Sequence, residues 1–349
     1  MNKLFQIRPY KQGTQPDIFL NLKLNTNENP YHVNISIIKE IIKEIKFFGN
    51  ILKYYPDPDS YIVINELSKY YNLRYEEIFI GNGSDDVLSN VFLTFFKNKK
   101  ILYLSDLTYS FYESFIKLYK IKYKILKINK NFSINIKKIK KNNNLILNNP
   151  NAPTGKKINE IKIKILILNR LSVLVIDETY IDFKNKSLIN LIKIKKNVII
   201  IKTFSKFKSL AGLRIGFALS NEYMIKFMNS TKNSTNSYPI NIISQISVKN
   251  IIKNNNYFEK IKIKIFKNKL LIIKSLKKLN FNIIKSETNF ILISNKNLNI
   301  NKLCNYLNKK NIFIRKFDIP KIENFARVTI GKREDCMLLI NNIKNFIKL

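Results

Sequence analysis

The sequence predicts an α/β fold in which a mostly parallel central sheet is flanked by helices and followed by a smaller α+β domain. Short apolar runs of strand length recur along the chain, at 101–104, 145–147, 173–176, 198–201 and 215–219. Most of these runs are separated by helix-length connections, which parallel strands require. Polar or aromatic residues follow each run, as expected where parallel strands end at one edge of a sheet.

The first 48 residues are expected to form an N-terminal arm and a helix that associate with the smaller domain. Residues 1–30 contain three prolines and dense polar stretches, so we predict that they are irregular. Apolar residues three or four positions apart then predict an amphipathic helix from Val33 to Phe48, ended by Gly49.

A large domain is expected over residues 49–250. It begins with a predicted strand at 76–80, the stretch Gly81-Asn-Gly-Ser-Asp-Asp86 and an amphipathic helix, for which Ser84 is the predicted N-cap. The free N–H groups of such a helix start can bind a phosphate. Glycine before a cap is also an ordinary turn, and Asp85 and Asp86 oppose an anion unless their side chains turn away. The stretch therefore predicts a helix, and its start is interpreted either as a phosphate site or as an ordinary turn.

Four consecutive strands of this domain are each followed by side chains suited to chemistry. These segments are 106–112, 148–156, 177–183 and the loop 202–216. We therefore expect an aromatic ring, an asparagine, an Asp-x-x-Tyr pair and a lysine to meet at one rim. The Asn/Lys-rich stretches 129–144 and 229–237 are predicted to be surface loops.

The loop 202–216 holds the most reactive set of side chains. Ser205 and Arg214 can hold a phosphate, and Lys206 can condense with an aldehyde to form a Schiff base. Pyridoxal phosphate is the cofactor that carries both groups. The chain contains 62 lysines and arginines, however, so Lys206 taken alone is equally an ordinary lysine of a lysine-rich protein.

Residues 251–349 are expected to form the small α+β domain. A long Lys/Ile-rich helix is predicted to begin near Ile251, followed by strands near 280–283, 290–293, 312–315 and 326–331.

The formal net charge of +38 would ordinarily indicate nucleic-acid binding. The lysines alternate with Ile and Asn along most of the chain instead of forming one patch. We therefore attribute the charge to AT-rich codon usage and expect no specific nucleic-acid partner. A noncatalytic, basic nucleic-acid-binding protein is the alternative from a different functional class.

Cysteine, histidine and hydropathy patterns exclude several other classes. Cys304 and Cys336 show neither pairing nor metal-ligand spacing and are predicted to be free thiols. His32 is the single histidine, so no His-based metal site and no metal is expected. With no apolar leader and no run long enough to span a membrane, we expect a cytoplasmic protein without a membrane partner.

Taken together, the motifs resemble the fold-type I, class II pyridoxal-phosphate aminotransferases over essentially the whole chain, and within them the histidinol-phosphate branch. The matching motifs are Leu24-Asn-Thr-Asn-Glu-Asn-Pro30, Tyr55-Pro-Asp57, Asp177-Glu-Thr-Tyr180, Ser205-Lys206, Leu210-Ala-Gly-Leu-Arg-Ile-Gly216, Ser286-Glu-Thr-Asn289 and Arg327-Val-Thr-Ile-Gly-Lys-Arg333. The resemblance implies a homodimer that transfers an amino group between histidinol phosphate and 2-oxoglutarate, giving imidazole-acetol phosphate and glutamate, in histidine biosynthesis. An aromatic-amino-acid aminotransferase or a phosphothreonine-type decarboxylase on the same fold is the alternative.

The resemblance also implies roles for individual residues. Lys206 would form the Schiff base and act as the base, Asp177 would pair with the pyridine nitrogen, and Tyr180 would bond the ring oxygen. The other implied cofactor contacts are Tyr109, Asn151, Gly83, Ser84, Asp85, Ser205, Arg214 and, from the neighbouring subunit, Tyr55. The implied substrate contacts are Arg327, Arg315, Tyr10 and Asn27.

Two positions depart from the family pattern. The family usually has Asn directly before Pro-Thr-Gly, where this chain has Ala152, with Asn151 one residue earlier. Either Asn151 reaches the cofactor's ring oxygen after a small backbone shift, or Tyr180 makes that bond alone. Leu107 replaces the proline usually found before Thr-Tyr, which could loosen the loop that carries Tyr109.

Overall fold

Two sheets organise the fold. The computed structural model describes residues 13–47, 49–97, 100–134, 139–168 and 170–348. Within these ranges the larger sheet has seven strands, which are numbered along the chain. Their order across the sheet is β2 (Ile78–Gly81), β8 (Gly216–Leu219), β7 (Val198–Thr203), β6 (Leu174–Asp177), β5 (Asn144–Asn148), β3 (Leu102–Ser105) and β4 (Tyr123–Leu126). Each of the five predicted apolar runs coincides with one of these strands, shifted by a residue or two at its ends.

The larger sheet is mostly parallel, as predicted. Strands β4, β3, β5, β6 and β7 run parallel to one another. Strand β8 runs antiparallel to both β7 and β2. The reversal has a local cause, because the connection from β7 to β8 contains a single short 3-10 turn at Ala211–Leu213 and no helix that could return the chain for parallel pairing.

The smaller sheet contains strands from both ends of the chain. Its five strands, in spatial order, are β1 (Leu22–Leu24), β11 (Ile312–Lys316), β12 (Ala326–Thr329), β10 (Phe290–Ser294) and β9 (Asn282–Ile284). Strand β1 corrects the prediction that residues 1–30 are irregular, since it pairs in parallel with β11. The association of the N-terminal segment with this sheet agrees with the predicted domain plan, whose boundaries at 48/49 and 250/251 stay predictions.

Eleven helices are found in the described ranges: α1 (Ile35–Phe47), α2 (Tyr61–Tyr71), α3 (Gly83–Val91), α4 (Phe111–Leu118), α5 (Glu160–Leu168), α6 (Leu191–Ile194), α7 (Glu222–Thr235), α8 (Ile242–Lys253), α9 (Asn255–Lys278), α10 (Ile300–Lys309) and α11 (Arg333–Lys348). Among the described residues, no helix is both long and apolar enough to cross a membrane. Cys304 and Cys336 are buried free thiols, as predicted.

Apolar residues of the larger sheet point alternately to two separate cores. Ile199 and Ile201 of β7 lie in the core that includes residues of α3 and α7. Val198 and Ile200, on the opposite face of the same strand, lie in the core that includes residues of α8 and α9. Burial on both faces explains why the apolar residues of β7 form an uninterrupted run in sequence and do not alternate with polar residues.

Helix α3 begins two residues earlier than predicted. Asn82, not Ser84, precedes its first residue, and no side chain caps it at that position. Asp86 Oδ2 instead accepts a hydrogen bond from Asn82 N at 2.8 Å. The Asp86 carboxylate is thereby occupied by the backbone of its own turn.

The stretch 229–237 is mostly helical, which corrects the predicted loop. Four hydroxyl side chains of α7 each donate to the carbonyl oxygen four residues earlier: Ser230, Thr231, Ser234 and Thr235. These bonds satisfy the hydroxyl groups of the four side chains within the helix itself. In the other predicted loop, 129–144, residues 135–138 lie outside the described residues, and Asn144 is the first residue of β5.

A tight contact joins the segment after β5 to the segment before β10. Gly155 has a φ of +73°, and a Cβ built on it would lie 2.3 Å from Ser286 Oγ. The Glu287 N–H donates to Gly155 O at 2.7 Å, and the Glu287 carboxylate pairs with Lys184 at 2.9 Å. Only a glycine allows the two segments to approach this closely.

Lys269 of α9 supports this junction from a buried position. Its amine donates to Ser286 O and Thr288 O, both at 2.7 Å. Burial lowers the pKa of Lys269 to about 7. A neutral amine still has two hydrogens, one for each carbonyl.

The buried Lys269 amine predicts a pH-dependent stability. At a pH between about 7, the pKa of Lys269 in the folded chain, and 10.5, the ordinary pKa of lysine, this amine is protonated in the unfolded chain but not in the folded chain. The free energy of unfolding therefore rises with pH by about 1.4 kcal/mol per pH unit. We expect the free energy of unfolding of wild type minus that of Lys269→Met to increase by this slope from pH 7 to 9, in urea titrations. The exposed Lys274→Met on the same helix is the control, and a flat difference for Lys269→Met would contradict the prediction.

Candidate active site

The carboxyl ends of the parallel strands open onto a cavity of about 890 Å³. Loops that follow β3, β5, β6 and β7 line it on one side, as the predicted rim requires. Strands β11 and β12 and the segment after β1 line it on the other side. The cavity therefore lies between the two sheets.

Lys206 lies on the cavity wall in the loop after β7. The neighbouring side chains of Phe204 and Phe207 are buried and anchor the loop, whereas Lys206 is only half-buried. Its amine donates to the carbonyl oxygen of Thr26 at 3.0 Å. The amine is thus held at the surface of the cavity, within reach of a bound molecule.

Asp177 presents a buried carboxylate to the same cavity from the end of β6. Burial raises the pKa of Asp177, while hydrogen bonds from Thr179 and Tyr112 act in the opposite direction. The Tyr112 hydroxyl donates to Oδ2 at 2.7 Å, and the Thr179 hydroxyl and N–H donate to Oδ1 at 2.6 and 3.0 Å. A positively charged ligand nitrogen next to this carboxylate would stabilise its ionised form.

The sequence prediction missed both partners of Asp177. Tyr112 is fully buried on α4, and burial raises its pKa well above the ordinary value. A fully buried tyrosine needs a partner for its hydroxyl, which is the signal that points from Tyr112 to a polar group inside the core. Thr179 lies two residues after Asp177, the spacing at which a side chain commonly binds a nearby backbone N–H.

The start of α3 and the lysine loop together form a cluster suited to an anion. Ser84, Asp85, Ser205 and Arg214 all line the cavity. The Asp85 carboxylate accepts from Arg214 Nη2 at 3.3 Å and from the Tyr109 hydroxyl at 2.9 Å. Since Asp85 is thus neutralised by a neighbour, it does not oppose an anion at the backbone N–H groups of the helix start.

Close backbone packing fixes this anion cluster. A Cβ on Gly216 would lie 2.5 Å from Gly83 C and from Ser84 N. Gly83 itself has a φ of +83°, and a Cβ there would lie 2.5 Å from Arg214 Nη2. Gly83 does not line the cavity, but its missing side chain lets the arginine approach the helix start.

Tyr180 and Tyr109 lie on the cavity wall, as the predicted site requires. The Tyr180 hydroxyl accepts from Asn27 Nδ2 at 3.0 Å. Asn27 is buried with a φ of 61°, and Thr329 holds both its N–H and its side-chain oxygen. Tyr109 packs edge-on against Tyr112 with ring centroids 5.5 Å apart.

Asn151 does not lie on the cavity wall. Its Nδ2 donates to Leu107 O at 3.1 Å and to Thr154 Oγ1 at 2.9 Å, which directs the amide into the loop. Asn148 and Ala152 line the cavity at this point. This position does not support the predicted contact of Asn151 with a ligand, and the alternative in which Tyr180 alone bonds the ring oxygen stays a prediction. The Asn151 bond to Leu107 also ties down the loop in which the usual proline is missing.

Arg315 and Arg327 are directly paired across β11 and β12. Opposite residues of antiparallel strands lie on the same face, with Cβ atoms about 5 Å apart. Both arginines line the cavity, and Arg327 donates to Asn25 O at 2.9 Å. Like charges placed directly opposite are unfavourable, so this pair is suited to binding a multivalent anion between them.

Of the last two predicted site residues, one lies away from the cavity and the other is not described. Tyr55 is 82% exposed and stacks on Tyr238 with ring centroids 4.7 Å apart, away from the cavity of its own chain. Tyr10 lies outside the described residues. The cavity thus combines a reactive amine and a buried carboxylate with two separate anion sites, an arrangement suited to a cofactor and a substrate that each carry an anion.

This chain matches one protein family over most of its length. The sequence model of the family described as Aminotransferase class I and II matches residues 21–343. A histidinol-phosphate aminotransferase of Clostridium beijerinckii is 41% identical over 346 residues, which cover 98% of this chain and 96% of the relative.

Two solved structures show the same fold. The histidinol-phosphate aminotransferase of Clostridium acetobutylicum aligns with a TM-score of 0.84 and 24% identity, covering 93% of this chain and 98% of that one. The enzyme of that name from Sinorhizobium meliloti, solved in complex with pyridoxal-5'-phosphate, aligns with a TM-score of 0.82 and 18% identity, covering 94% of this chain and 92% of that one.

Proposed function

Because this chain belongs to the class I and II aminotransferases, we propose that it transfers an amino group between histidinol phosphate and 2-oxoglutarate, giving imidazole-acetol phosphate and glutamate. The relatives that match nearly its whole length at about 41% identity carry the name of this activity. The proposed pathway is histidine biosynthesis, and the proposed compartment is the cytoplasm.

The observation that carries the substrate assignment is the arginine pair. A single guanidinium matches the charge of one carboxylate, whereas Arg315 and Arg327, paired across two strands at the cavity, match a phosphate dianion. The same pair can accept a carboxylate of 2-oxoglutarate in the second half of the reaction.

The cavity fits pyridoxal phosphate as the cofactor. The close packing of Gly216 on the start of α3 leaves a backbone cradle that a Cβ would fill, and Arg214 and Ser205 lie beside it. The Asp177 carboxylate can pair with a protonated ring nitrogen, whose positive charge would offset the effect of burial, which raises the pKa of Asp177. When bound, pyridoxal phosphate supplies an aldehyde that condenses with amines and a ring that accepts electrons from the amine-bearing carbon.

Each residue of the site has a separate proposed role. With pyridoxal phosphate bound, Lys206 Nζ would hold it between turnovers and, once free, would take the proton from the amine-bearing carbon of the substrate. Asp177 would keep a proton on the ring nitrogen, and Tyr112 and Thr179 orient the Asp177 carboxylate. Tyr180, whose hydroxyl accepts a hydrogen bond from Asn27, would donate to the ring oxygen, and Tyr109 would contact the ring.

The decisive test is a half-reaction followed by the absorbance of the bound cofactor. Histidinol phosphate, phenylalanine and phosphothreonine are titrated separately into the protein with pyridoxal phosphate. We expect histidinol phosphate to remove the absorbance band and 2-oxoglutarate to restore it. A response to phenylalanine alone would indicate an aromatic aminotransferase, and release of carbon dioxide from phosphothreonine would indicate a decarboxylase.

We also propose that the enzyme is a homodimer in which Tyr55 completes the partner's cofactor site. Tyr55 points away from its own cavity, and the neighbouring Leu52 and Tyr54 are exposed as well. An apolar surface of this kind usually marks an interface. Sedimentation of the purified protein should give two chains per particle, and a monomer would contradict the proposal.

A further inference from the structure

Asn25, Thr26 and Asn27, which follow β1, each form a hydrogen bond with a different residue of the proposed site. Asn25 O accepts from Arg327, the proposed substrate arginine, at 2.9 Å. Thr26 O accepts from the Lys206 amine at 3.0 Å. Asn27 Nδ2 donates to the hydroxyl of Tyr180, the residue proposed to bond the ring oxygen, at 3.0 Å. The backbone position of this segment therefore determines where the Lys206 amine is held when it is not bonded to the cofactor.

Two charged side chains hold Thr26 from the other side. Lys23 Nζ donates to Thr26 Oγ1 at 2.6 Å. The Thr26 hydroxyl in turn donates to the carboxylate of Glu28, which also forms an ion pair with Lys23. Lys23 lies in β1, whose pairing with β11 fixes its backbone. The three side chains form a closed polar cluster directly behind the carbonyl that receives the Lys206 amine.

Glu28 is ionised in this cluster. Partial burial acts to raise the pKa of Glu28, but hydrogen bonds from Lys23 and Thr26 and the charges of Lys23 and Lys206 outweigh it, so the pKa lies below the ordinary value. The carboxylate is therefore a strong acceptor for the Thr26 hydroxyl at neutral pH.

We propose that Lys23, Thr26 and Glu28 are positioning residues for Lys206, which hold the Thr26 carbonyl where it receives the lysine amine each time that amine is released. This inference rests on the proposed function, because an amine that alternates between a bonded and a free state requires a defined position in the free state. A displaced base loses rate steeply, since proton transfer depends on the distance and direction between donor and acceptor.

The first test separates positioning from substrate binding. Thr26→Val keeps the size and shape of the side chain and removes the hydroxyl, whereas Thr26→Ser keeps the hydroxyl. We expect Thr26→Val to lower kcat about tenfold with KM for histidinol phosphate within about twofold, and Thr26→Ser to retain nearly the wild-type kcat. Glu28→Gln should lie between the two, because an amide oxygen still accepts from the hydroxyl but carries no charge.

The second test needs neither cofactor nor turnover. Cofactor-free protein is labelled with a trace of acetic anhydride at pH 8, and the labelling rate of Lys206 is measured by peptide mass spectrometry relative to the exposed Lys226. We expect Lys206 to be labelled several-fold faster in Thr26→Val and Glu28→Gln than in wild type, because its hydrogen bond to the Thr26 carbonyl is weakened. The rate for Thr26→Ser should equal that of wild type.

The outcomes distinguish the inference from the proposed function. If wild type transfers no amino group from histidinol phosphate but the labelling differences appear, the proposed substrate is wrong and the positioning cluster stands. If Thr26→Val and Glu28→Gln have a lower melting temperature but wild-type kcat and wild-type labelling of Lys206, the cluster is merely structural and the inference is overturned.

Discussion

Lys206→Ala should lower the rate of amino transfer by about 10⁴-fold or more while the protein stays folded. The large effect follows from the two roles proposed for this side chain, since it would both bond the cofactor and move the substrate proton, and both functions would be lost together. The side chain is only half-buried and the loop is anchored by Phe204 and Phe207, so truncation leaves the packing intact. Single-turnover absorbance with histidinol phosphate measures the rate, and circular dichroism checks the fold.

Two variants make this result specific. Lys206→Arg keeps the positive charge and a donor for the Thr26 carbonyl but cannot form a Schiff base, and it should be as inactive as the alanine variant. Lys226→Ala removes an exposed lysine of α7 and should leave the rate unchanged. Turnover within about 100-fold of wild type in Lys206→Ala would remove Lys206 from its assigned role.

Arg327→Ala should raise KM for histidinol phosphate about 100-fold with a smaller change in kcat. The variant removes one of the two guanidinium groups paired across β11 and β12, and hydrogen bonds to a charged phosphate each contribute about 1.5–3 kcal/mol. Arg327→Lys should recover part of the loss, because an ammonium supplies the charge without the two-pronged geometry. Steady-state kinetics at saturating 2-oxoglutarate measure the effect.

Histidinol without its phosphate is the matched substrate for this prediction. Wild type and Arg327→Ala should convert it at similar kcat/KM, since the missing guanidinium has no phosphate to bind. Arg333→Ala, at an exposed arginine of α11, is the matched control variant and should resemble wild type with both substrates. An equal loss for histidinol and histidinol phosphate would show that Arg327 supports the fold of the site and not the recognition of phosphate.

The strands that position the site were predictable because they are buried on both faces. β5, β6 and β7 lie in the middle of the larger sheet, are buried along their whole length and each contain an uninterrupted apolar run. Two short strands at sheet edges were not predicted. β4 is largely exposed and alternates lysine with apolar residues, and β1 has three residues inside a stretch dominated by turn-forming side chains. Neither has a pattern that distinguishes it from a loop.

Side chains that act through their own chemistry were easier to predict than groups that act through the backbone or through another residue. Lys206, Asp177 and Arg327 carry reactive or charged groups at recognisable positions, and all three lie on the cavity wall. The Thr26 contribution is a carbonyl oxygen, which every residue has, so no residue type signals it. Asn151 is the opposite case. Its side chain is of the expected type and stands one position before the expected one, but it is hydrogen-bonded within its own loop.

The return of the chain from β7 to β8 places Lys206 and Arg214 on one loop, with seven residues between them. A molecule that bonds to the Lys206 amine at one end and to the Arg214 guanidinium at the other is attached at two points. Once either end is attached, the other binds at a high effective concentration set by the short, anchored loop. The molecule dissociates only if its bonds to the amine and to the guanidinium are broken at the same time. In the proposed reaction, Lys206 would therefore be freed in every cycle while the cofactor stayed attached through its phosphate.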